Sequence, residues 1–159
     1  MRILGIDPGT GILGFGVIDV QKGGRVQIVD AGVIRTPVKE DDAVRLLTIY
    51  EELTDIIATN NPTVMSVEKL FFARNVTTAM TVAQARGVVL LCGMQAGMTI
   101  FEYTPMQIKQ AVTGYGKADK KQMQEMVRVL LKLKEIPKPD DAADALAAAL
   151  THASVNRLA

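Results

Sequence analysis

The sequence predicts an α/β fold in which helices flank a five-stranded mixed sheet. Three observations lead to this class. Residues 1–35 contain three segments rich in Ile, Val, Leu and Phe, separated only by the short breaks DPGTG and QKGG. Links this short join antiparallel strands. Residues 36–103 then alternate helical and strand patterns, and helical patterns dominate the remaining residues.

Each element has a separate signal in the sequence. The strands are short apolar runs bounded by Gly, Pro, Asn or Asp. The first helix is marked by apolar side chains every three or four residues from Ala43 to Ile57, and the last three helices each open with Pro or Asp. The predicted strands cover residues 2–7, 12–20, 25–35, 63–69 and 99–103, and the predicted helices cover residues 40–60, 76–97, 105–113, 119–133 and 140–154.

The composition predicts one soluble globular domain over residues 1–159. Hydrophobic residues make up 48% of the chain and the formal net charge is +1, both ordinary for such proteins. The single cysteine, Cys92, lies in an apolar stretch and excludes an internal disulfide, which fits a reducing compartment. The N-terminus has no signal-peptide pattern, and no run reaches the roughly 18 apolar residues of a membrane helix. We therefore expect a cytoplasmic protein.

Charge is unevenly distributed along the chain. Residues 40–55 carry six acidic side chains and one arginine, whereas residues 101–134 carry seven basic side chains and three acidic ones. A near-neutral total can therefore hide a basic surface of the kind that binds phosphates. A plain solvated helix face would show the same charges, so the count alone leaves both interpretations open.

Carboxylates stand at the ends of predicted elements. Asp7 ends the first strand, where it is costly unless something pairs with it, although it would also suit the start of an Asp-Pro-Gly turn. Glu68 ends the fourth strand, where an exposed strand-end charge is the plain alternative. The last helix opens with Asp140, a natural N-cap, followed by Asp141 and Asp144, which share one helical face.

These side chains converge if both strands and the last helix meet at one edge of the sheet. Four carboxylates without a neutralising partner repel one another, which raises some of their pKa values. Two divalent ions would offset the charge, and hard oxygen ligands favour Mg²⁺ or Mn²⁺ over zinc. Two such ions about 4 Å apart support in-line attack on a phosphodiester. His152 lies ~16 Å farther along the helix axis than Asp141, which excludes it from this site.

Five stretches of the sequence resemble, in order and spacing, the RuvC family of Holliday junction resolvases. They are GIDPGT with GFGVID, VEKLFFARN, AQARGV, IKQAVTGYGKADKKQMQEMV and PDDAADALAAALTH. The resemblance spans Arg2 to His152. It implies a ribonuclease-H-like fold, a homodimer, Mg²⁺-dependent nicking of four-way DNA junctions, and association with the RuvA–RuvB branch-migration motor in a bacterial cytoplasm.

The resemblance also implies roles for individual residues. The family's catalytic and metal-binding carboxylates fall on Asp7, Glu68, Asp141 and Asp144. Its functional lysines match Lys109 and Lys120, and a lysine near the metals would stabilise developing charge. Its base-stacking aromatic matches Phe71, which apolar burial alone would place in a core. Further candidates for phosphate contacts are Arg74, Lys117 and Lys121.

A symmetric dimer follows from the substrate that the resemblance implies. Resolving a four-way junction needs two nicks in strands of like polarity, related by the two-fold axis of the junction. Two chains with C₂ symmetry supply one site for each nick. The predicted interface is the helix at 76–97, through its apolar residues Val82, Val89, Leu90 and Met94; the alternative is a fully buried core helix in a monomer.

Two other functions remain open on the sequence. GIDPGTG also resembles the first phosphate loop of actin-like and sugar-kinase ATPases, but these need a second phosphate loop and a second domain, for which 159 residues leave no room. A non-catalytic junction-binding relative would have lost a carboxylate, whereas all four are present. Nicking of a four-way junction in Mg²⁺, compared with a linear duplex, separates the three.

Overall fold

The computed structural model describes residues 1–9, 11–69 and 76–158. Two residues of the predicted DNA-binding set, Phe71 and Arg74, lie outside these ranges. The described elements are β1 (Arg2–Asp7), β2 (Ile12–Val20), β3 (Val26–Arg35), α1 (Asp42–Asn60), β4 (Val64–Glu68), α2 (Val76–Gln95), β5 (Thr99–Tyr103), α3 (Pro105–Thr113), α4 (Lys120–Leu130) and α5 (Asp140–Leu158).

The sheet has the strand order β3-β2-β1-β4-β5. The first three strands form an antiparallel meander, while β4 pairs parallel with β1 and β5 pairs parallel with β4. The predicted five-stranded mixed sheet is therefore confirmed. The parallel pairs arise because a helix separates each of these strands from the one before it, and the chain must cross over before it re-enters the sheet.

Helix ends are where the sequence prediction is least accurate. The predicted helix over 119–133 ends at Leu130, because Lys132 has a left-handed backbone with φ of 54° and cannot continue the helix. The last helix continues to Leu158 instead of ending at residue 154. No Gly or Pro interrupts residues 155–158, so nothing local stops the helix.

Helix α5 lies on one face of the sheet at unusually short range. A Cβ atom added at Gly5 would lie 2.0 Å from the Ala145 carbonyl oxygen, and one added at Gly14 would lie 1.9 Å from the Asp141 carbonyl oxygen. The facing side of α5 is almost all alanine, and Ser66 donates a 2.6 Å hydrogen bond to its backbone. The glycines and alanines thus let the helix backbone approach the strands directly.

The opposite face of the sheet is covered by α1 and α2. The buried residues of α2 include Ala85, Val89 and Cys92, which join the core formed with α1. Among the described helices, only α2 is long and apolar enough to cross a membrane by length and composition. The sequence prediction did not identify this segment, because polar residues interrupt its apolar run. The core helix of a soluble protein can have the same length and composition.

One side of α2 remains exposed. Its exposed small and apolar residues recur at intervals of three and four, which places them on one helical face. We call this set the α2 stripe; it comprises Met80, Ala83, Gly87, Leu91 and Met94. Two residues of the predicted interface, Val89 and Leu90, instead pack toward the core. The sequence identified an excess of apolar surface on this helix but not the face that carries it.

Candidate functional site

The carboxyl ends of two adjacent parallel strands place Asp7 beside Glu68. The register pairs Ile6 with Val67, so the next residues, Asp7 and Glu68, lie level with each other at the end of the strands. Strand alternation directs both side chains to the face that α5 covers, the same face as Gly5 and Ser66. The sequence folds this way because a polar residue directly follows each apolar strand core.

The first turns of α5 complete the cluster. Gly14, on β2, pairs with Asp7 on β1, and the backbone of Asp141 lies directly on Gly14. Asp144 follows three residues later on the same helical face. The structure therefore brings together Asp7, Glu68, Asp141 and Asp144, the four carboxylates that the sequence singled out, from β1, β4 and α5.

Burial, together with the charges of their neighbours, raises the pKa values of Asp7, Glu68 and Asp144. Burial, then the charges of Glu68 and Asp144 and a hydrogen bond with Glu68, raises the pKa of Asp7 to about 9. Burial also raises the pKa of Glu68, although its hydrogen bond with Asp7 opposes the rise. Burial and the charge of Asp141 raise the pKa of Asp144. Asp7 therefore holds a proton at neutral pH and donates it toward Glu68.

Two lysines lie beside the carboxylates, which corrects the expectation that the cluster has no neutralising partner. A cavity of about 310 Å³ has among its lining residues Glu68, Asp119 and Asp144 together with Lys109 and Lys120. The charge of Lys109 lowers the pKa of Glu68, and the charge of Lys120 lowers that of Asp144, each against the larger effect of burial. Both predicted functional lysines thus face the cluster.

Asp140 does not act as the predicted N-cap. It is the first residue of α5, and its carboxylate is bound from α4: Lys120 Nζ donates to it at 2.7 Å and Gln124 Nε2 at 3.0 Å. Sequence reasoning missed this contact, since nothing in the sequence indicates that helix starts twenty residues apart lie side by side. Asp140 and Lys120 are both more than half exposed.

The other predicted residues lie apart from the cluster. Lys117 and Lys121 are exposed, and Lys121 lines a separate cavity of about 600 Å³ with Tyr115 and Met126. His152 is buried far along α5, where its Nδ1 lies 2.8 Å from the Tyr103 hydroxyl and burial lowers its pKa. His152 therefore lies apart from the carboxylate cluster, with Tyr103 as its partner.

The donor set fits hard divalent cations better than any other metal. All four converging groups are carboxylates, and the residues described contain no grouping of three or more His, Cys, Asp and Glu side chains already spaced around an ion. Cations of Mg²⁺ type would displace the proton held by Asp7, whereas the absence of nearby thiols and imidazoles disfavours zinc.

Comparison with known proteins identifies the family of this chain. Residues 3–152 match the family described as crossover junction endodeoxyribonuclease RuvC. A protein of that name from Heliobacterium modesticaldum is 60% identical over 94% of this chain and 92% of its own length. A protein of the same name from Brevibacillus brevis is 58% identical over 96% of this chain and 92% of its own length.

Comparison with solved structures also finds a RuvC protein. The solved structure of Thermus thermophilus RuvC in complex with a Holliday junction substrate superposes with a TM-score of 0.94 at 39% identity, covering 99% of this chain and 96% of that one. The match extends over every described element, from β1 to α5. The sheet order and the ribonuclease-H-like fold are therefore those of the resolvases. The chain belongs to the RuvC family of crossover junction endodeoxyribonucleases.

Proposed function

We propose that this protein is a structure-specific endonuclease that resolves four-way DNA junctions by paired, symmetric nicks during recombination and repair. The observation that carries the proposal is a cavity lined by Glu68, Asp144 and two lysines, beside which Asp7 is hydrogen-bonded to Glu68 and Asp141 lies close enough for its charge to act on Asp7. Carboxylates alone would repel a phosphodiester. Together with cations and lysines they form a site for its hydrolysis.

Asp7, Glu68, Asp141 and Asp144 would hold two Mg²⁺ ions, with Mn²⁺ as a substitute. Bound ions of this kind acidify water and offset the charge that develops on the phosphate. The protein's own contribution begins with Asp7, which must release its proton before it can act as a ligand. The close packing of α5 on Gly14 then fixes Asp141 against the strand that pairs with Asp7.

The reaction is a single displacement at phosphorus. A water oxygen forms the new bond to phosphorus, the bond to the 3′ oxygen breaks, and a proton ends on that oxygen, which leaves a 5′-phosphate and a 3′-hydroxyl. Lys120 faces the cavity from α4 and stabilises charge in the transition state, while Lys109, from α3, orients the phosphate. No side chain forms a covalent intermediate.

The DNA surface extends beyond the cavity. Lys117 and Lys121 follow Lys109 along the α3–α4 side and would bind flanking phosphates as point charges. Phe71, stacking on unpaired bases, and Arg74, contacting phosphate, stay predictions from the family resemblance, since they lie outside the described residues. The partnership with a RuvA–RuvB motor and a cytoplasmic location rest on that resemblance as well.

The functional unit is a homodimer with two-fold symmetry. The α2 stripe offers an exposed apolar face whose spacing of three and four residues suits packing against a second copy of the same helix. Its small residues, Ala83 and Gly87, permit close approach. Two sites related by the dimer axis can then meet the two scissile strands of a junction.

Nicking assays on a synthetic four-way junction test the proposal. In Mg²⁺ the protein should nick the junction in two strands of like polarity, and it should leave a linear duplex of the same sequence intact. EDTA should stop the reaction without preventing junction binding. Binding without nicking in either Mg²⁺ or Mn²⁺ would instead indicate a non-catalytic junction-binding protein, and ATP hydrolysis without nicking would indicate the ATPase alternative.

A further inference from the structure

Lys120 lies at a position on α4 where the helix itself does not stabilise the positive charge of a lysine ammonium group. It is the first residue of the helix, where the positive end of the helix dipole repels an ammonium group. The neighbouring carboxylate, Asp119, is the N-cap and already accepts a 2.8 Å hydrogen bond from the backbone NH of Gln122. Lys120 therefore needs a partner from elsewhere in the fold if its ammonium is to stay beside the cavity.

Asp140 supplies that partner from the start of α5. One of its carboxylate oxygens lies 2.7 Å from Lys120 Nζ, and the other accepts a 3.0 Å hydrogen bond from Gln124 Nε2. Lys120 and Gln124 are four residues apart, so they lie on the same face of α4. Both oxygens of Asp140 are thus bound by one helix face, which gives the contact a defined direction.

We propose that Asp140 is a positioning residue, which holds the Lys120 ammonium at the cavity that Glu68 and Asp144 line. The inference rests on the proposed nuclease function, in which Lys120 acts on the transition state. This role assigns Asp140 no contact of its own with the phosphate or the metal ions; its observed partners are Lys120 and Gln124. Asp140 acts through Lys120, as an outer-sphere partner orients a ligand.

Two further observations support this role. An ion pair between side chains this exposed adds little to folding stability, so stability does not explain the contact. The hydrogen bond to Asp140 is the main cause that raises the pKa of Lys120, and the charges of Asp144 and Asp141 act in the same direction. The ammonium therefore stays charged within the field of two of the proposed metal ligands.

Single-turnover nicking of a synthetic junction at saturating protein tests the proposal. Asp140→Ala should nick about 10-fold more slowly, while its junction affinity in EDTA should be unchanged or higher, because a negative charge leaves the DNA-binding side. Asp140→Asn keeps an acceptor oxygen for Lys120 and should restore most of the rate. Gln124→Ala, which leaves α5 untouched, should give a smaller loss of the same kind.

Two controls separate positioning from structure. Glu125→Gln removes an α4 carboxylate that pairs with Arg128, outside the cavity, and should nick at the wild-type rate. In a Lys120→Ala background, Asp140→Ala should cause no further loss, since the two residues act as one unit.

Each outcome bears on the inference. An Asp140→Ala protein that nicks at the wild-type rate, or whose loss adds fully to that of Lys120→Ala, would overturn it while the wild-type activity upholds the proposed function. If Asp140→Ala melts well below the wild type, the folded Gln124→Ala and Asp140→Asn proteins decide the question. Failure of the wild-type protein to nick would reject the proposed function separately.

Discussion

The pKa of Asp7 reflects the burial and the neighbouring carboxylates that surround this residue. A carboxylate that ends an apolar strand beside three others cannot stay ionised without a cation, and its pKa accordingly rises from 3.8 to about 9. A plain turn-forming aspartate would stay exposed and ionised. The raised pKa of half-buried Asp7 is what the proposed metal site predicts and what a plain structural turn does not.

The protonation of Asp7 predicts a pH-dependent stability for the metal-free protein. The unfolded chain releases this proton near pH 3.8 but the folded chain keeps it to about pH 9. Between those values the native state binds more protons, so the free energy of unfolding should fall as the pH rises. The raised pKa values of Glu68 and Asp144 act in the same direction. Urea unfolding in EDTA between pH 5 and pH 9 measures the slope.

The Asp7→Asn variant is the matched control for this pH dependence, because the asparagine side chain has the shape of aspartate but does not ionise. Its unfolding free energy should depend less on pH than that of the wild type and should be higher near pH 8. Mg²⁺ should stabilise the wild type more at pH 8 than at pH 5, because the ion competes with protons for the same oxygens. A wild-type stability that rises over this range, relative to the variant, would contradict the account.

At the scale of elements, the placement of α5 decides whether the site exists. The helix backbone lies on Gly5 and Gly14, and this close packing brings Asp141 and Asp144 to the strand ends. A methyl group at Gly14 would collide with a backbone carbonyl, which cannot move without moving the helix.

Gly14→Ala should therefore cost about 3 kcal/mol or more of unfolding free energy and abolish nicking. Gly32→Ala is the matched control in the same sheet, since its methyl would meet only the edge of the Phe15 ring, at 3.1 Å, and that ring can shift. Its stability should change by less than about 1 kcal/mol. Equal losses for the two variants in urea unfolding would show that close approach of α5 is not what Gly14 provides.

The sequence predicts the existence and order of the elements well, and their ends and faces less well. Strand and helix periods are local properties, so the ten elements of the described residues are predicted to within a few residues of their ends. The left-handed Lys132 that ends α4 and the exposed face of α2 depend on tertiary packing, which local periods do not encode. The contact between Lys120 and Asp140 also depends on tertiary packing, so the sequence identifies both residues but not their pairing.

At the scale of the whole molecule, the proposed two-fold junction substrate requires a dimer of this chain. Leu91 is 52% exposed in the single chain, so a charge there should disturb an interface and not a core. We expect the wild type to be a dimer in sedimentation equilibrium at micromolar concentration and Leu91→Glu to be a folded monomer. The monomer should still nick a junction, but the two nicks should become uncoupled.

Val29→Glu serves as the control for the dimer prediction. Val29 is 41% exposed on β3, the sheet edge farthest from β5, and lies outside the α2 stripe. The Val29→Glu protein should remain a dimer in the same sedimentation experiment. A wild-type protein that remains monomeric even on a bound junction would refute the paired-nick arrangement.

The claim that four carboxylates form the nuclease site is tested most directly by Asp144→Asn. The variant and the wild type are compared in single-turnover nicking of one synthetic four-way junction in Mg²⁺, with binding to the same junction measured in EDTA. The account predicts that nicking falls by roughly 10³-fold or more, while the junction is bound at least as tightly because a negative charge has been removed. Near-normal nicking by Asp144→Asn would contradict it.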